Sequence, residues 1–528
     1  MTEAKKRVLI SDPVAQEGIK LLEDGGLEVV VNTKLDEEGL CEEIKDFDAL
    51  IVRSGTQVTK KVIESGTRLK IIGRAGVGVD NVDIPAATNR GIVVVNSPAG
   101  NTFAAAELTI SHLLALARNL PQACTSLKEG RWDRKKYTGV EVRKKTLGIV
   151  GLGKIGRTVA TIAQGLSMKV IGYDPFITKE QGDSLGIRLV ELNDLFQESD
   201  FITFHLPLNS QTKNMVSTKE FALMKKTAYL INVARGGIID EKALYDAVKN
   251  GQIAGAALDV FEQEPCTDSP LLELEQIIVT PHLGASTIEA QINVAIDVAE
   301  DVVGFLNGRP VAHGVNMPAI APEVFANVAP FIGTAESLGS LFGQLFPKNA
   351  SELEVIYRGK LSNFDTSILT SSLVKGLLSW GLEHPVTLVN AMLEAKARGI
   401  KIKEVKEVQN GSADLIAIRG RGKNEHILGA TFVSELGPRL LNLDGFRVDI
   451  ELGGNMLVVP HKDQPGIIGK VGMILGDHNV NIGAMDVGRK GQGQEAVMLL
   501  VIDQPLPKEG LAKISQIDGI YDVLDVTL

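Results

Sequence analysis

The chain has 528 residues, of which 44% are hydrophobic and 23% charged, with a net charge of −10. That is material for about three to four globular domains, and the acidic balance argues against a nucleic-acid partner, which calls for a basic surface. Cys41, Cys124 and Cys266 are scattered and form neither a metal-ligand nor a disulfide pattern, and no apolar run is long enough to span a bilayer.

The start, MTEAKKRVLISD, enters a strand almost at once and shows no signal-peptide pattern, so a cytoplasmic protein without a membrane partner is expected. Apolar runs at 8–11, 27–31, 48–53, 69–73 and 92–96 read as strands, separated by polar stretches such as the helical 18–22. The alternation predicts a small α/β domain with a parallel sheet. Two of these strands end in Arg53-Ser54-Gly55 and in Arg74-Ala75-Gly76-Val77-Gly78. Ligands bind beyond the carboxyl ends of strands in such sheets. Arg53 and Arg74 can therefore meet an anionic substrate while N–H groups near Gly76 approach its carboxylate. The alternative is a surface arginine paired with the next loop, beside an ordinary turn glycine.

After Ser97-Pro98, Asn101 or Thr102 can cap a long apolar helix at 103–120. His112 on it reads as a packed helix residue and not as a catalyst. Arg131-Trp132-Asp133-Arg134-Lys135-Lys136 is either a solvated face or a subunit contact or anion site.

The stretch 146–174, TLGIVGLGKIGRTVATIAQGLSMKVIGYD, organises the rest. A buried strand at 147–150 runs into Gly151-x-Gly153-x-x-Gly156, then a helix at 154–167 and a second strand at 169–173 that ends at Asp174. Gly151 permits a tight turn, Gly153 lets the backbone approach a pyrophosphate, and Gly156 lets the helix pack against the sheet. The helix N-terminus, at Lys154 and Ile155, supplies free N–H groups and a positive dipole end. An acid at Asp174 can accept both adenosine ribose hydroxyls and should repel a 2′-phosphate, so NAD is expected and NADP is not.

Further strands are expected at 200–206, 229–234, 253–260 and 277–280. His205, at a strand end before Pro207, fits cofactor contact better than catalysis. Arg235, Glu264 and His282 follow successive strand ends, positions that converge in a doubly wound sheet. The chemistry that this trio suits is hydride transfer from a secondary alcohol. Arg235 can bind a carboxylate and polarise the reacting oxygen, His282 can take the hydroxyl proton, and Glu264 can orient the imidazole and stabilise its charged form. Glu262 is a less suitable substitute for Glu264.

Seven stretches now match one family: GRAGVGVDNVD (73–83), NSPAGNTFAAAE (96–107), GLGKIG (151–156), HLPL (205–208), NVARGGIIDE (232–241), ALDVFEQEP (257–265) and TPHLGAST (280–287). The chain resembles the D-isomer-specific 2-hydroxy-acid dehydrogenases, in the long-chain form that acts on phosphoglycerate. The resemblance implies two Rossmann-like parallel-sheet domains, the first discontinuous: 1–98 with 290–315 for substrate and 99–289 for NAD. It implies the catalytic set Arg235, Glu264 and His282. It places Val77, Gly151, Gly153, Lys154, Ile155, Gly156, Asp174, His205, Pro207, Ala234, Arg235, Asp259, His282 and Gly284 against NAD. It assigns Arg53, Ser54, Gly55, Arg74, Gly76, Asn101, Arg235 and His282 to the substrate, 3-phosphoglycerate, with Arg134 reaching the phosphate across a dimer. Related enzymes of the family reduce hydroxypyruvate or glycerate precursors, and a nucleotide-sensing protein on the same fold is the non-enzyme alternative.

After a proline-flanked linker at 316–320, helices are expected at 330–345, 365–378 and 386–397 and strands at 353–357, 427–432 and 447–451. This α+β module, 316–452, has no catalytic constellation, although Lys375, Arg439 and Arg447 can bind an anion. By resemblance it is an intervening, regulatory-type domain. From 453 to 528 the order βαββαβ is the ferredoxin-like plan and resembles the ACT domain. That resemblance implies an L-serine effector held by His461, Asp463 and Asn481 between subunits of a homo-oligomer, a dimer or a tetramer.

Overall fold

The computed structural model describes residues 5–528 except 319, 321, 350, 383–384, 409–412 and 423; Ala319, inside the expected linker, thus lies outside the described residues. Four sheets follow one another along the chain. The first contains β1 (Arg7–Ile10), β2 (Glu28–Val31), β3 (Ala49–Val52), β4 (Ile71–Arg74) and β5 (Val93–Asn96), all parallel in the order β2-β1-β3-β4-β5. The second contains β6 (Thr146–Val150), β7 (Lys169–Tyr173), β8 (Arg188–Leu189), β9 (Phe201–Phe204), β10 (Tyr229–Asn232), β11 (Gly255–Leu258) and β12 (Ile277–Val279). It too is parallel, ordered β12-β11-β10-β9-β6-β7-β8. The strand order reverses between β6 and β9, and a crevice opens at such a switch point.

Strands of these two sheets are apolar on both faces because helices cover both. On the first sheet one covering helix, Ile288–Leu306, comes from almost two hundred residues downstream. Its Val294, Val298 and Val302 share a core with Val8, Ile10 and Ile71. Ser97, where the chain leaves the first sheet, donates to Asp297 on this returning helix at 2.5 Å. The two crossings between the sheets are therefore tied together.

The expected 103–120 helix is cut short. It runs Thr102–Arg118, and Asn119 in the left-handed region (φ 51°) redirects the chain into a second helix, Leu120–Lys128, with Pro121 in its first turn.

The third sheet contains β13 (Glu352–Arg358), β14 (Lys401–Glu407), β15 (Leu415–Arg421), β16 (Glu425–Val433), β17 (Gly437–Leu443) and β18 (Phe446–Glu451), in the mixed order β14-β13-β15-β16-β17-β18. Strands β14, β15 and β17 were not expected. KIKEVKE is a charged edge strand and GPRLLNL opens on Gly-Pro, so neither carries a plain apolar run. LIAIRGR does carry one, Leu415 to Ile418, a short run missing from the expected strands. The helix expected at 386–397 is only Ala391–Ala397, because the Asn390 side chain accepts from Thr387 N (2.7 Å) and ends the preceding turn there.

The fourth sheet contains β19 (Asn455–Lys462), β20 (Ile482–Arg489), β21 (Glu495–Ile502) and β22 (Leu524–Thr527), antiparallel in the order β20-β21-β19-β22 with two helices, Ile467–Asp477 and Lys508–Ser515. This is the ferredoxin-like plan. Its Met456, Val458, Val497, Leu499 and Val526 join the core of the preceding module, with Leu338, Leu341 and Phe342. Among the described residues no helix is long and apolar enough to cross a membrane.

Candidate active site

The Gly151–Gly156 loop joins β6 to the helix Lys154–Gly165. Gly151 has φ 96°, and a Cβ there would lie 2.5 Å from the carbonyl oxygen of His205, so only glycine fits where β6 and β9 part. Gly156 packs so closely that a Cβ would overlap the Gly151 carbonyl, with Ile149 of β6 next at 3.4 Å. Gly153 is the opposite case: a Cβ there would meet nothing within 4 Å. As N-cap it offers no side chain to the helix's first N–H groups, which leaves them for an anion. Asp174 accepts from Leu152 N (2.8 Å) on one oxygen and from Phe176 N (2.9 Å) on the other. A carboxylate has about four acceptor sites, so each oxygen keeps one for a ribose hydroxyl. The loop and the acid fit a dinucleotide. His205 lies against this loop, its ring 3.1 Å from Thr203 Oγ1; burial pushes it down to about 3, and it therefore stays neutral at working pH.

The catalytic candidates meet as expected. His282 Nδ1 and Glu264 Oε2 are 2.7 Å apart. Burial alone would raise the Glu264 carboxyl. The His282 hydrogen bond and charge, the Phe261 N–H (3.1 Å) and the Arg235 charge outweigh it and hold Glu264 below the usual carboxylate value. Glu262 is excluded from this role: its backbone N–H and side chain are exchanged with Glu241 at 2.6 and 3.2 Å.

Three residues that the sequence did not single out build the frame. Asn232, at the end of β10, accepts from Ala234 N (3.1 Å) and donates to the Arg235 carbonyl (2.9 Å), which fixes the turn that carries Arg235. Gly236 lets that turn touch the Glu264 loop, since a Cβ would overlap the Phe261 carbonyl. Thr280 donates to Asp259 at 2.6 Å and so accepts from His112 Nε2 at 3.1 Å. His112 is thus packed, as expected, and burial, against the pull of Asp259, keeps it below its ordinary value.

Two expected cofactor contacts differ. Asp259 has 0% exposure, and besides Thr280 it accepts from Leu283 N (2.7 Å) and Gly284 N (2.8 Å). Asp259 and Gly284 are spent on each other. They hold the Pro281–Gly284 turn, where His282 adopts φ 56°, and they shape the cofactor wall from behind. Val77, Pro207 and Ala234 remain at least partly exposed.

On the first sheet's side three arginines gather. Arg74 is lowered to about 10, by burial first and then by the charges of Arg235 and Arg53. Its Nε is buried without a hydrogen-bond partner, and a Cβ on Gly76 (φ 152°) would overlap its Nη1. The Arg53–Gly55 turn is held by Asp12, which accepts from Arg53 N (2.6 Å) and Thr56 N (3.1 Å). Asn81 donates to the Arg53 and Thr56 carbonyls, each at 2.6 Å. Asn101 stands at the helix N-cap without a cap bond, its Oδ1 buried and unpartnered, contrary to the expected capping role. Such orphan groups await a ligand. Arg134 does not join them. It is exposed beside Trp132 (74% exposed), with no hydrogen bond or ion pair among the described residues.

The expected effector residues are each engaged within the chain, and of the three only His461 and Asp463 interact through charge. His461 is 2% exposed and turned onto the Val459 carbonyl at 2.9 Å. Asp463 is engaged by Arg489 and by Gly493 N (3.0 Å), which hold its carboxyl low. Asn481 donates to Asp503 at 3.0 Å.

Glu264→Gln gives one direct test. The Glu264 carboxyl is held below its usual value, so it is ionised throughout the neutral range. The glutamine keeps the shape and the hydrogen bond to Nδ1 but loses the charge, so kcat should fall about ten- to a hundredfold with NAD affinity unchanged. Wild-type kcat in this variant would show that the Glu264 charge plays no part in the reaction.

Family models match three parts of the chain: the NAD-binding domain of D-isomer-specific 2-hydroxyacid dehydrogenases at residues 110–284, the D-3-phosphoglycerate dehydrogenase intervening domain at 327–444, and the ACT domain at 456–519. The chain is 47% identical over 527 residues to a D-3-phosphoglycerate dehydrogenase of Synechocystis sp., covering 99% of this chain and 95% of the relative. It is 46% identical over 525 residues to that of Methanocaldococcus jannaschii, covering 99% and 100%. Among solved structures, an NAD+-bound 3-phosphoglycerate dehydrogenase of Entamoeba histolytica is similar over 59% of this chain and 99% of its own, with 32% identity and a TM-score of 0.51. With the intervening and ACT domains in place behind the dehydrogenase core, the chain belongs to the D-3-phosphoglycerate dehydrogenase family.

Proposed function

We propose that this chain oxidises 3-phospho-D-glycerate at C2 to 3-phosphooxypyruvate with NAD, the committed step of L-serine biosynthesis. The observation that carries the reading is the position of Arg235. Its charge acts on both Glu264 and Arg74, so it joins the His282–Glu264 pair to the arginine cluster that would receive a doubly anionic substrate.

Gly151, Gly153, the first turn at Lys154 and Ile155, and Asp174 would hold NAD, which when bound supplies the hydride acceptor. The remaining work belongs to the side chains. Nδ1 of His282 is committed to Glu264, so Nε2 is the atom that takes the C2 hydroxyl proton as the C2–H bond breaks and the C=O bond forms. Arg235 grips the carboxylate and the C2 oxygen, and its fixed charge favours the oxygen as it loses its proton. Arg53, Arg74 and Asn101 complete the anion site beside the Gly76 loop, whose Gly76 N–H is spent on the Arg74 carbonyl at 2.8 Å, and Arg134 of a second copy reaches the phosphate. Closure of the two parallel-sheet parts expels water from the site.

The domain limits 1–98 with 290–315, 99–289, 316–452 and 453–528 are part of this reading, as are a cytoplasmic homo-oligomer and L-serine binding at paired ACT domains. Steady-state turnover tests it, on 2-hydroxy acids with and without a 3-phosphate, with NAD and NADP, with and without serine. The expected outcome is NAD-dependent turnover that requires the phosphate. Equal turnover of glycerate and its phosphate would sink the substrate assignment, and serine binding without kinetic effect would sink the regulatory one.

A further inference from the structure

Arg235 belongs to the second sheet, and the side chain that it meets across the cleft belongs to the first. Arg235 Nε donates to Asp80 Oδ2 at 2.9 Å, and Nη1 donates to the Ala234 carbonyl at 2.6 Å. A guanidinium carries five N–H donors, so one on Nη1 and both on Nη2 remain for a substrate. Gly78 makes room for the pair: a Cβ there would overlap Arg235 Nη2 and lie 2.9 Å from Asp80 Oδ2.

Asp80 itself has no structural reason to be where it is. Its side chain is 68% exposed, and it makes no second hydrogen bond or ion pair among the described residues. An exposed ion pair contributes little to stability. The neighbouring acid, Asp12, is by contrast spent on backbone N–H groups of the Arg53 turn. Asp80 also stands on a fixed base. Asn81, the next residue, is bonded to the carbonyls of Arg53 and Thr56, and Val82 pairs with Val58. The result is a carboxylate on a fixed backbone, paired with Arg235 and within reach of the Arg74 charge. For substrate binding alone this is unfavourable, because a negative charge there competes with the anion.

We propose that Asp80 is a positioning residue of the reaction. It holds Arg235 by Nε, so that the free Nη donors stay aimed for the substrate carboxylate and C2 oxygen, and it makes that aim depend on the approach of the two halves of the cleft. The proposal rests on the role given to Arg235 above. It has a consequence that a merely structural role lacks: Asp80 weakens ground-state binding while it raises turnover.

Asp80→Asn removes the charge and keeps the shape. Its kcat should fall about ten- to a hundredfold, while KM for 3-phosphoglycerate stays level or drops and NAD affinity is unchanged. Asp80→Glu, which keeps the charge on a longer arm, should recover part of kcat. In an Arg235→Lys background, which has no Nε–H to hold, Asp80→Asn should cost less than about twofold, since residues acting through one contact are not additive. An unchanged kcat in Asp80→Asn overturns the proposal, as does a raised KM at constant kcat, or the same loss in both backgrounds. A wild type with no turnover of any 2-hydroxy acid overturns the functional reading together with this one. An active wild type with an unaltered Asp80→Asn overturns this one alone.

Discussion

His282→Gln should lower kcat about a hundred- to ten-thousandfold and leave NAD affinity unchanged. In the reaction proposed above the proton passes to the imidazole of His282, and the two other histidines near the site are engaged elsewhere. His205 is held neutral by burial, at about 3, and His112 is packed behind the turn and hydrogen-bonded to Thr280. No neighbour can take over. The dinucleotide loop is built by Gly151, Gly153 and Asp174 on other strand ends, so binding measured by quenching of protein fluorescence or by calorimetry should persist. The left-handed conformation of residue 282 (φ 56°) suits Asn better than Gln, so His282→Asn serves as a companion that separates lost chemistry from a strained turn. Turnover within tenfold of wild type in both variants would remove His282 from the mechanism.

Replacement of Arg235 by Gln should cost about a hundred- to a thousandfold in kcat/KM, divided between kcat and KM. Two interactions disappear together, the grip on the carboxylate and the charge beside the reacting oxygen. The fold should tolerate the change. The ion pair with Asp80 is partly exposed and is worth no more than about 1 kcal/mol, and the turn is secured by Asn232 and not by the guanidinium. Loss of its charge also relieves Arg74, on which burial and Arg53 act in the same direction as Arg235, and Asp80 and Asp12 in the other. Thermal unfolding should therefore hardly move while the kinetics collapse. A large fall in melting temperature with proportionate loss of activity would instead mark Arg235 as a structural residue.

The C-terminal half is packed as one body against the rest of the chain. The ACT sheet buries one face against the helix Ile332–Leu345 of the intervening module, within one continuous core. The module in turn reaches the first sheet, where Thr387 Oγ1 donates to the Gly91 carbonyl at 3.2 Å and Val389 enters the core. A path of packed contacts therefore runs from the ACT domain to the first sheet. For the serine site proposed above, His461, buried here, would have to turn outward or meet a second copy.

Much of this was legible in the amino-acid sequence, for local reasons. Parallel strands buried on both faces are short apolar runs, and the glycine loop and Asp174 follow from what a pyrophosphate and a ribose require at fixed spacing. Arg235, Glu264 and His282 each follow a strand end, and the topology of a doubly wound sheet brings such ends together. Where the signal failed, the cause was also local. The charged edge strand Lys401–Glu407 has no apolar alternation, and the stop of the helix that starts at Thr102 is marked only by Asn119 and Pro121, at the very end of the apolar run.

Tertiary structure alone decided who holds whom. Asp259 looks like a residue of the cofactor wall, yet its carboxylate is enclosed because Thr280, Leu283 and Gly284 come back to it from twenty residues away. Asn101 looks like a helix cap, yet its oxygen is left free. The sequence ranks Glu264 above Glu262 without a physical reason, and the structure supplies one, since Glu241 claims Glu262. Asp80 is one acid among 65 acidic residues until the cleft sets it against Arg235, 155 positions away. Spacing along the chain fixes which residues reach the site. Hydrogen bonds and charges between distant segments, which have no period and no motif, fix which of them remain free to act there.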